Sequence, residues 1–402
     1  MDLFIEKIPS NLFSMMTPKI TPRGEMCVIK LYHMLLKAQK QSESISQQVK
    51  IIDELSRVKK NVTKFLSKYS ANTVYYFPEK MMRKVEEDSE RIIYVLLELP
   101  KRTIRLYFMM NTSNFSDFSK TKHLNTYLSH LKLWFSLLDD IAPDACAKTL
   151  DIQIYLTDEK KKLPTLRGDI IGVDHVNSAF SDICQRHGNI IIFRKEEWFK
   201  VLIHETLHNY GIDFSLMDQS KMATHLFKVF PIGANIDDAV FSETYTETWA
   251  ELLNIAIISL DLLDSEDSNP ITFSLYFHFL TQIELLHSIS QTQKILHHFD
   301  LSYHSLLERK SAEVFRQSSH VFEYYILKTV LLTNYGEFLC WAEDNMRDLI
   351  VFPDDERKLI SFCHLLESLG GEKFCKRIHK AKPAIIALID DDNLRMSICE
   401  IK

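Results

Sequence analysis

Glycine, export signals and long apolar runs are what this sequence most clearly lacks. Its 402 residues include only nine glycines, and because glycine supplies the positive φ of tight hairpin turns, we expect a helix-rich protein with few such turns. No stretch approaches the roughly 18 to 20 uncharged apolar residues that a membrane span needs. Asp2 and Glu6 stand where a secretory signal carries positive charge. We therefore expect neither secretion nor membrane contact.

Charge and cysteine usage exclude further classes. The 48 basic and 54 acidic residues are interspersed and give a net charge of -6, so nothing predicts a nucleic-acid partner. The cysteines are odd in number, scattered and without a CxxC pair, which predicts reduced thiols in a cytoplasmic protein rather than a disulfide framework. These seven residues are Cys27, Cys146, Cys184, Cys340, Cys363, Cys375 and Cys399.

Hydrophobic periodicity divides the chain into three consecutive regions. From about residue 25 to 90 apolar side chains recur at three- and four-residue steps, which predicts an N-terminal helical region over residues 1–90. Residues 91–264 contain two adjacent apolar runs that predict a β-hairpin, and the runs at 150–156 and 189–193 predict further strands. Residues 265–402 return to helical periodicity. The expected fold class is α+β and helix-rich, with a small mixed sheet in the central region.

A helix predicted over residues 196–210 carries the sequence His204-Glu-Thr-Leu-His208, an HExxH motif. The four-residue step puts both imidazoles on one helix face, where they can reach a single tetrahedral Zn²⁺. Glu205 lies about 100° round the helix from His204. From there it can act as the general base that activates water. Gly211 follows the last periodic residue, as is typical of a helix end.

A catalytic zinc ion normally has three protein ligands, so the two histidines leave one ligand to be found. Glu243, Glu247 and Glu251 recur every four residues along a second predicted helix, which Asp237 or Asp238 could cap. Glutamates in such a stripe commonly face solvent. However, no lysine or arginine stands three or four residues from them, so their like charges repel unless a cation lies nearby. The stripe is therefore a candidate source of the third ligand.

HETLH, with ETWAE beginning 39 positions after His208, resembles the gluzincin branch of the zincin metallopeptidases over roughly residues 150–260. In that family a glutamate on a following helix is the third ligand, which implies Glu247. An acidic residue one turn later hydrogen-bonds a ligand histidine and fixes its tautomer, which implies that role for Glu251. Glu243 remains the alternative ligand.

The resemblance implies two further features. A metzincin would have a third histidine where this chain has Phe214, so that branch is not favoured. Gluzincins bind an extended peptide along an edge strand before the active-site helix, and residues 176–180 or 189–193 are the candidates for that edge. The sequence also resembles uncharacterised metallopeptidase-like proteins of large DNA viruses, which implies the host cytoplasm or the virion as its location.

Three residues are possible donors to the oxyanion of a tetrahedral intermediate: Tyr245, His225 and His175. A single histidine or tyrosine is more often a structural residue. Tyr245 also precedes Glu247 by two residues, so it should point to the opposite side of the helix.

These observations predict a zincin-like core with two active-site helices, flanked by helical regions. The predicted function is hydrolysis of a peptide bond in a peptide or protein substrate, with one Zn²⁺ per chain and Glu205 as general base. Two alternatives remain open: a catalytically inactive zincin-fold protein that serves as a binding or virion structural module, and an amidase or deformylase that acts on a non-peptide substrate. The sequence predicts no oligomeric state.

Overall fold

The structure is a computed structural model. It describes residues 5, 6, 8, 10–67, 76–233, 239–263, 269–309, 311–386 and 392–401. Two compact units make up the chain, and each is built from separate stretches of sequence. We call them the sheet unit (residues 33–160, 177–212 and 400–402) and the helical unit (residues 1–32, 161–176 and 213–399). This grouping differs from the three consecutive regions predicted from periodicity.

A six-stranded mixed sheet forms the centre of the sheet unit. Its strands are β1 (Ser46–Ile52), β2 (Arg91–Glu98), β3 (Thr103–Met110), β4 (Thr149–Tyr155), β6 (Ala179–Ser181) and β7 (His187–Ile192). They lie in the order β1-β2-β3-β4-β7-β6. Strands β1 to β3 are antiparallel, β3, β4 and β7 are parallel, and β6 is antiparallel to β7. The helices of this unit are α3 (Leu55–Leu66), α4 (Glu79–Asp88), α5 (Thr112–Phe118), α6 (Thr121–Ile141) and α8 (Trp198–Asn209).

Helices cover both faces of the central strands of this sheet, whereas β1 is exposed along most of its length. On one face Met109, Tyr155 and Ile191 belong to a buried cluster that includes apolar side chains of α3 and α4. On the other face Ile154 and Ile192 are fully buried, and α8 packs against β6 and β7. Period-2 alternation alone predicts a strand with one solvated face. The second helical layer is why the polar residues of β4 are less exposed than that pattern suggests.

The helical unit consists almost entirely of helices. Helix α2 (Pro22–Ser42) is shared between the two units. The other helices are α1 (Ser10–Met16), α7 (Val173–Val176), α9 (Ser220–Val229), α10 (Ser242–Asp261), α11 (Pro270–His298), α12 (Tyr303–Leu306), α13 (Ser311–Val314), a π-helix (Phe322–Leu327), α14 (Lys328–Thr333), α15 (Tyr335–Asn345), α16 (Glu356–Gly370) and α17 (Glu372–Ile386), and the short strands β5 (Ile171–Gly172) and β8 (Gln317–Ser318) pair in parallel.

The last described residues of the helical unit form an extended segment held by buried side chains. We call residues 393–399 the C-terminal segment. The carboxylate of Glu284 accepts hydrogen bonds from the backbone N–H groups of Ile398 at 3.0 Å and Cys399 at 3.1 Å. The Asn254 side-chain amide donates to the Cys399 carbonyl at 2.9 Å. Side chains from two long helices therefore satisfy the backbone of a segment that has almost no secondary structure of its own.

The predicted helix-rich α+β fold with a mixed sheet is confirmed, and so are the hairpin, the strands at 150–156 and 189–193, and the helix over 196–210. The described part of residues 1–90, predicted as an N-terminal helical region, contains four helices and one strand, β1, that was not predicted. Strand β1 pairs with β2. Ile51, Ile52 and Leu55, where β1 is followed by α3, have the three- and four-residue spacing of a helix. Pairing with a distant strand decides the outcome, which local periodicity does not report.

Among the described residues, no helix combines the length and the apolar composition that crossing a membrane requires.

Candidate metal centre

Helix α8 carries the HExxH motif in a fully buried setting. Every residue from Trp198 to Asn209 is buried, and Trp198 packs edge-on against Phe108 of the sheet, with ring centroids 5.5 Å apart. Burying ionisable side chains costs free energy unless a partner compensates them. The two imidazoles and the carboxylate of the motif are therefore not surface side chains, and their burial calls for a compensating partner.

His204 and His208 point their Nε2 atoms at one another. These atoms are 3.1 Å apart, and the ring planes are inclined by 74°. Two nitrogen ligands on a tetrahedral zinc ion, each about 2.0 to 2.1 Å from the metal, are about 3.3 Å apart. The predicted pairing of the two histidines is therefore present, at a separation suited to one ion. Glu205, between them in sequence, is 8% exposed.

The end of α8 is fixed by a Schellman motif. Gly211 has a φ of 63°. Its N–H donates to the His208 carbonyl at 3.0 Å, and the Ile212 N–H donates to the Leu207 carbonyl at 2.9 Å. The prediction that the helix ends at Gly211 is confirmed. Because a residue with a Cβ is strained at this φ, the glycine sets where the chain turns away after His208.

Two polar contacts fix the rotation of α8 about its axis. The Trp134 indole N–H donates to the Thr206 hydroxyl at 2.9 Å, and the Asn209 amide donates to the Asp182 carbonyl at 2.8 Å. A Cβ on Gly188 would lie 2.6 Å from the Asn209 amide, so glycine is needed for this close approach. Side chains held by such contacts keep an adjacent site in its productive geometry.

A disulfide joins Cys146 to Cys184 in the sheet unit. The expectation of reduced thiols is wrong for this pair, because the fold brings together two cysteines 38 positions apart that sequence spacing does not relate. The disulfide also lies against the end of α8: a Cβ on Gly211 would be 3.1 Å from Cys146 Sγ. The other five cysteines are free thiols.

The acidic stripe lies on α10, within the helical unit. Glu247 and Glu251 are 1% and 0% exposed, respectively, and Glu243 is half-buried. The interpretation of the stripe as a solvated face therefore does not hold for Glu247 and Glu251. Helix α10 begins at Ser242, and the proposed caps at positions 237 and 238 lie outside the described residues.

Glu251 has a cationic partner that the sequence reasoning missed. Lys328 Nζ donates to Glu251 Oε1 at 2.5 Å, and both side chains are almost completely buried. Because no lysine or arginine stands near the stripe in sequence, a nearby cation was expected to compensate its charges. For Glu251 that cation is the ammonium group of Lys328 from α14. The predicted role of Glu251 in orienting a ligand histidine stays a prediction.

Glu323, on the π-helix, is a second missed residue. Burial, together with a smaller effect of the nearby charge of Glu243, raises the pKa of its carboxyl to about 8. The π-helix packs against α10, so two carboxyl groups approach each other at one end of the stripe. Glu323 and Lys328 both stand within the run from Val321 to Leu332, whose other residues are aliphatic or aromatic except for Thr329. A charge in such a run is a signal of burial with a partner, and it could have identified both residues.

Tyr245 has a structural role in this arrangement. Its side chain is fully buried, and its hydroxyl donates to the Ile350 carbonyl at 2.5 Å. The rings of Phe214 and Phe352 lie 5.8 and 5.4 Å from its ring centroid, respectively. Its proton is therefore engaged within an aromatic core, in agreement with the expectation that it points away from Glu247.

The two histidines considered as oxyanion donors lie in the helical unit. His225 Nε2 is 2.9 Å from Glu367 Oε2, and His175 Nδ1 accepts from the Gly172 N–H at 3.1 Å. Each has a local partner, as expected for a structural histidine.

Strand β6 is one of the two edges of the sheet, and β1 is the other. Strand β6 is the last in the sheet order, whereas β7 pairs with β4 on one side and with β6 on the other. The candidate edge at residues 189–193 is therefore wrong, and the candidate at 176–180 contains the first two residues of β6. Only an edge strand offers unpaired backbone groups to an added peptide.

Comparison with known proteins shows one partial similarity. A stretch of 161 residues is 27% identical to an uncharacterised protein of Acanthamoeba polyphaga mimivirus, and it covers 39% of each chain. The chain thus spans about two fifths of the length of this relative. No protein-family model matches the sequence, and no solved structure is similar to it. What the comparisons support is a partial similarity to a protein of a large DNA virus.

Proposed function

We propose that this chain is a zinc-dependent peptidase of the gluzincin type, in which His204 and His208 bind the metal and Glu205 is the general base. The observation that carries the proposal is the pair of Nε2 atoms 3.1 Å apart on a buried helix. A structural zinc site closes its fourth position with protein ligands and has no use for a general base. An HExxH glutamate next to such a pair therefore favours a hydrolase.

The third ligand is proposed to come from α10, and the family resemblance favours Glu247. Of the three glutamates, Glu251 is already neutralised by Lys328, which makes it the least suited to a metal. Glu243 is the alternative. The charge of Glu243 is one cause of the raised pKa of Glu323, and a divalent cation at Glu243 would offset that effect.

The chemistry divides between the ion and the protein. When bound, Zn²⁺ would act as a Lewis acid that polarises the carbonyl of the substrate and acidifies water. Glu205 would take the proton of the attacking water and pass it to the leaving amine, so that no covalent acyl-enzyme forms. The edge of β6 would hold the peptide backbone in an extended conformation.

Metal content tests the site. Elemental analysis after dialysis should find the same zinc content in the wild-type protein and in Glu205→Gln. It should find one zinc ion per chain fewer in His208→Ala and in the variant of the true third ligand, Glu247→Gln or Glu243→Gln. Two control variants should retain the metal. His187→Ala removes an exposed histidine of β7, and Asp261→Asn neutralises an exposed acid at the end of α10. Wild-type protein that stays free of zinc after purification in its presence would refute the proposal.

Activity separates the peptidase from its alternatives. Wild-type protein should cut some members of a mixture of synthetic peptides, as detected by mass spectrometry. Glu205→Gln should lose about 10² to 10⁴ in rate while retaining its zinc. A zinc protein that cuts no peptide but hydrolyses formyl or acyl amides would be an amidase. One that hydrolyses neither would be a binding or virion structural module.

The proposed location is the cytoplasm of a virus-infected cell or the virion. The partial similarity to a mimivirus protein supports a viral origin. Disulfides persist on virions and are rare in reduced cytoplasm, so the Cys146–Cys184 bond favours the virion. Thiol alkylation of the protein in infected cells and in virions tests this location. Alkylation of Cys146, which would show that it is reduced, would contradict the preference for the virion.

A further inference from the structure

A second group of possible metal ligands lies in the helical unit, on two packed helices. His225 comes from α9, and His364 and Glu367 come from α16. One ligand atom of each lies within 4.8 Å of the others. The His225 Nε2 and Glu367 Oε2 atoms are 2.9 Å apart, and the two imidazole centroids are 5.6 Å apart. We call these three residues the α9–α16 cluster.

The packing beneath the cluster fixes its geometry. His364 and Glu367 are three residues apart, so they share one face of α16. Helices α9 and α16 pack against each other, and Met222 on α9 and Cys363 on α16 are buried in their interface. The backbone positions of the three ligands are therefore set by an apolar contact that does not depend on a metal.

We propose that the α9–α16 cluster is a second metal site, which takes a divalent transition-metal ion such as Zn²⁺, Ni²⁺ or Cu²⁺. Two imidazoles and one carboxylate are the donors that these ions prefer, whereas Mg²⁺ and Ca²⁺ prefer sites made only of oxygen atoms. His225 is partly exposed, and His364 and Glu367 are exposed, so water can complete the coordination.

The same three residues have a simpler interpretation, in which Glu367 only accepts a hydrogen bond from His225. That contact accounts for two members of the cluster and leaves the position of His364 unexplained. An ion uses all three, because it replaces the shared proton between His225 and Glu367 and gains His364 as a third ligand. Once bound, the ion would clamp α9 to α16 and stabilise the helical unit by mass action.

Zinc titration by calorimetry, on metal-depleted full-length protein, tests this site. Wild-type protein should bind one more ion than His364→Ala, and either His225→Ala or Glu367→Gln should raise the dissociation constant of that ion by at least about tenfold. His379→Ala removes an exposed histidine of α17 and should leave the count unchanged. Equal counts for wild-type protein and His364→Ala would overturn the proposal, and so would an equal loss in His379→Ala.

A second background keeps this test independent of the HExxH motif. The double variant His204→Ala/His208→Ala should still bind one zinc ion, and it should lose that ion when His364→Ala is added. Zinc should also raise the melting temperature of wild-type protein more than that of His364→Ala. If the double variant does not fold, the difference between wild-type protein and His364→Ala decides alone. Failure here with zinc retained at the HExxH site would leave the proposed peptidase intact.

Discussion

Replacing Lys328 by methionine tests how the acidic helix tolerates its buried charges. Methionine keeps most of the length of the side chain and removes the ammonium group that contacts Glu251. At a separation of 2.5 Å and an effective dielectric constant of about 20, the attraction amounts to about 7 kcal/mol before desolvation is counted. Breaking one partner of a buried pair costs about 3 to 5 kcal/mol, because the other charge stays buried and must take up a proton or unfold its surroundings. We therefore expect Lys328→Met to lower the free energy of unfolding by about 3 to 5 kcal/mol.

Urea unfolding followed by far-ultraviolet circular dichroism measures this loss. Lys328→Met/Glu251→Gln removes both charges and should recover most of the stability, since a neutral pair leaves no buried charge. Lys376→Met breaks an exposed pair with Glu372 on α17 and should leave the urea midpoint almost unchanged, because solvent screens an exposed pair. The reasoning fails if Lys328→Met unfolds at the same urea concentration as the wild-type protein, or if the double variant is as unstable as the single one.

Two further predictions concern the disulfide and the buried acid of the π-helix. In Cys146→Ser/Cys184→Ser the free energy of unfolding should fall by about 4 kcal/mol, which is the loop entropy expected for a sequence separation of 38. Urea unfolding without reductant should show this loss. Equal urea midpoints for the variant and the wild-type protein would refute the prediction. Because the pKa of Glu323 is raised from 4.5 to about 8 in the folded protein, its contribution to the free energy of unfolding is fully present below pH 4.5 and is lost as pH rises through about 8, by as much as about 5 kcal/mol. Glu323→Gln should flatten urea-derived stability across that range, and an unchanged pH dependence would exclude Glu323 as its source.

Sequence reasoning succeeded where the signal was local. The HExxH spacing, the glycine at the helix end and the alternation of β4 each depend on neighbours within a few residues, and each is present in the structure. It failed where a distant partner decides the outcome. Strand β1 is a strand because β2 pairs with it, and Cys146 meets Cys184 only because the sheet brings them together.

The candidate site divides in the same way. His204, Glu205 and His208 could be identified from one turn of helix, because their spacing alone puts the ligands together. The state of the acidic stripe could not be predicted, because Lys328 is 77 residues beyond Glu251 in the chain. The pairing of Glu251 with Lys328 makes Glu251 the least suited of the three glutamates to bind a metal. That pairing depends on tertiary packing.

The C-terminal segment has a consequence for when this protein can fold. Glu284 is buried in the middle of a long helix, and its carboxylate is satisfied by backbone groups of Ile398 and Cys399. During synthesis, more than a hundred residues must be added after Glu284 before those groups exist, which takes roughly 5 to 20 s at ribosomal speed. Until then the helical unit would have to leave a carboxylate unsatisfied or keep it hydrated. The unit therefore reaches its native packing only after residue 399 has left the ribosome, and a nascent chain stalled before that point should remain sensitive to protease.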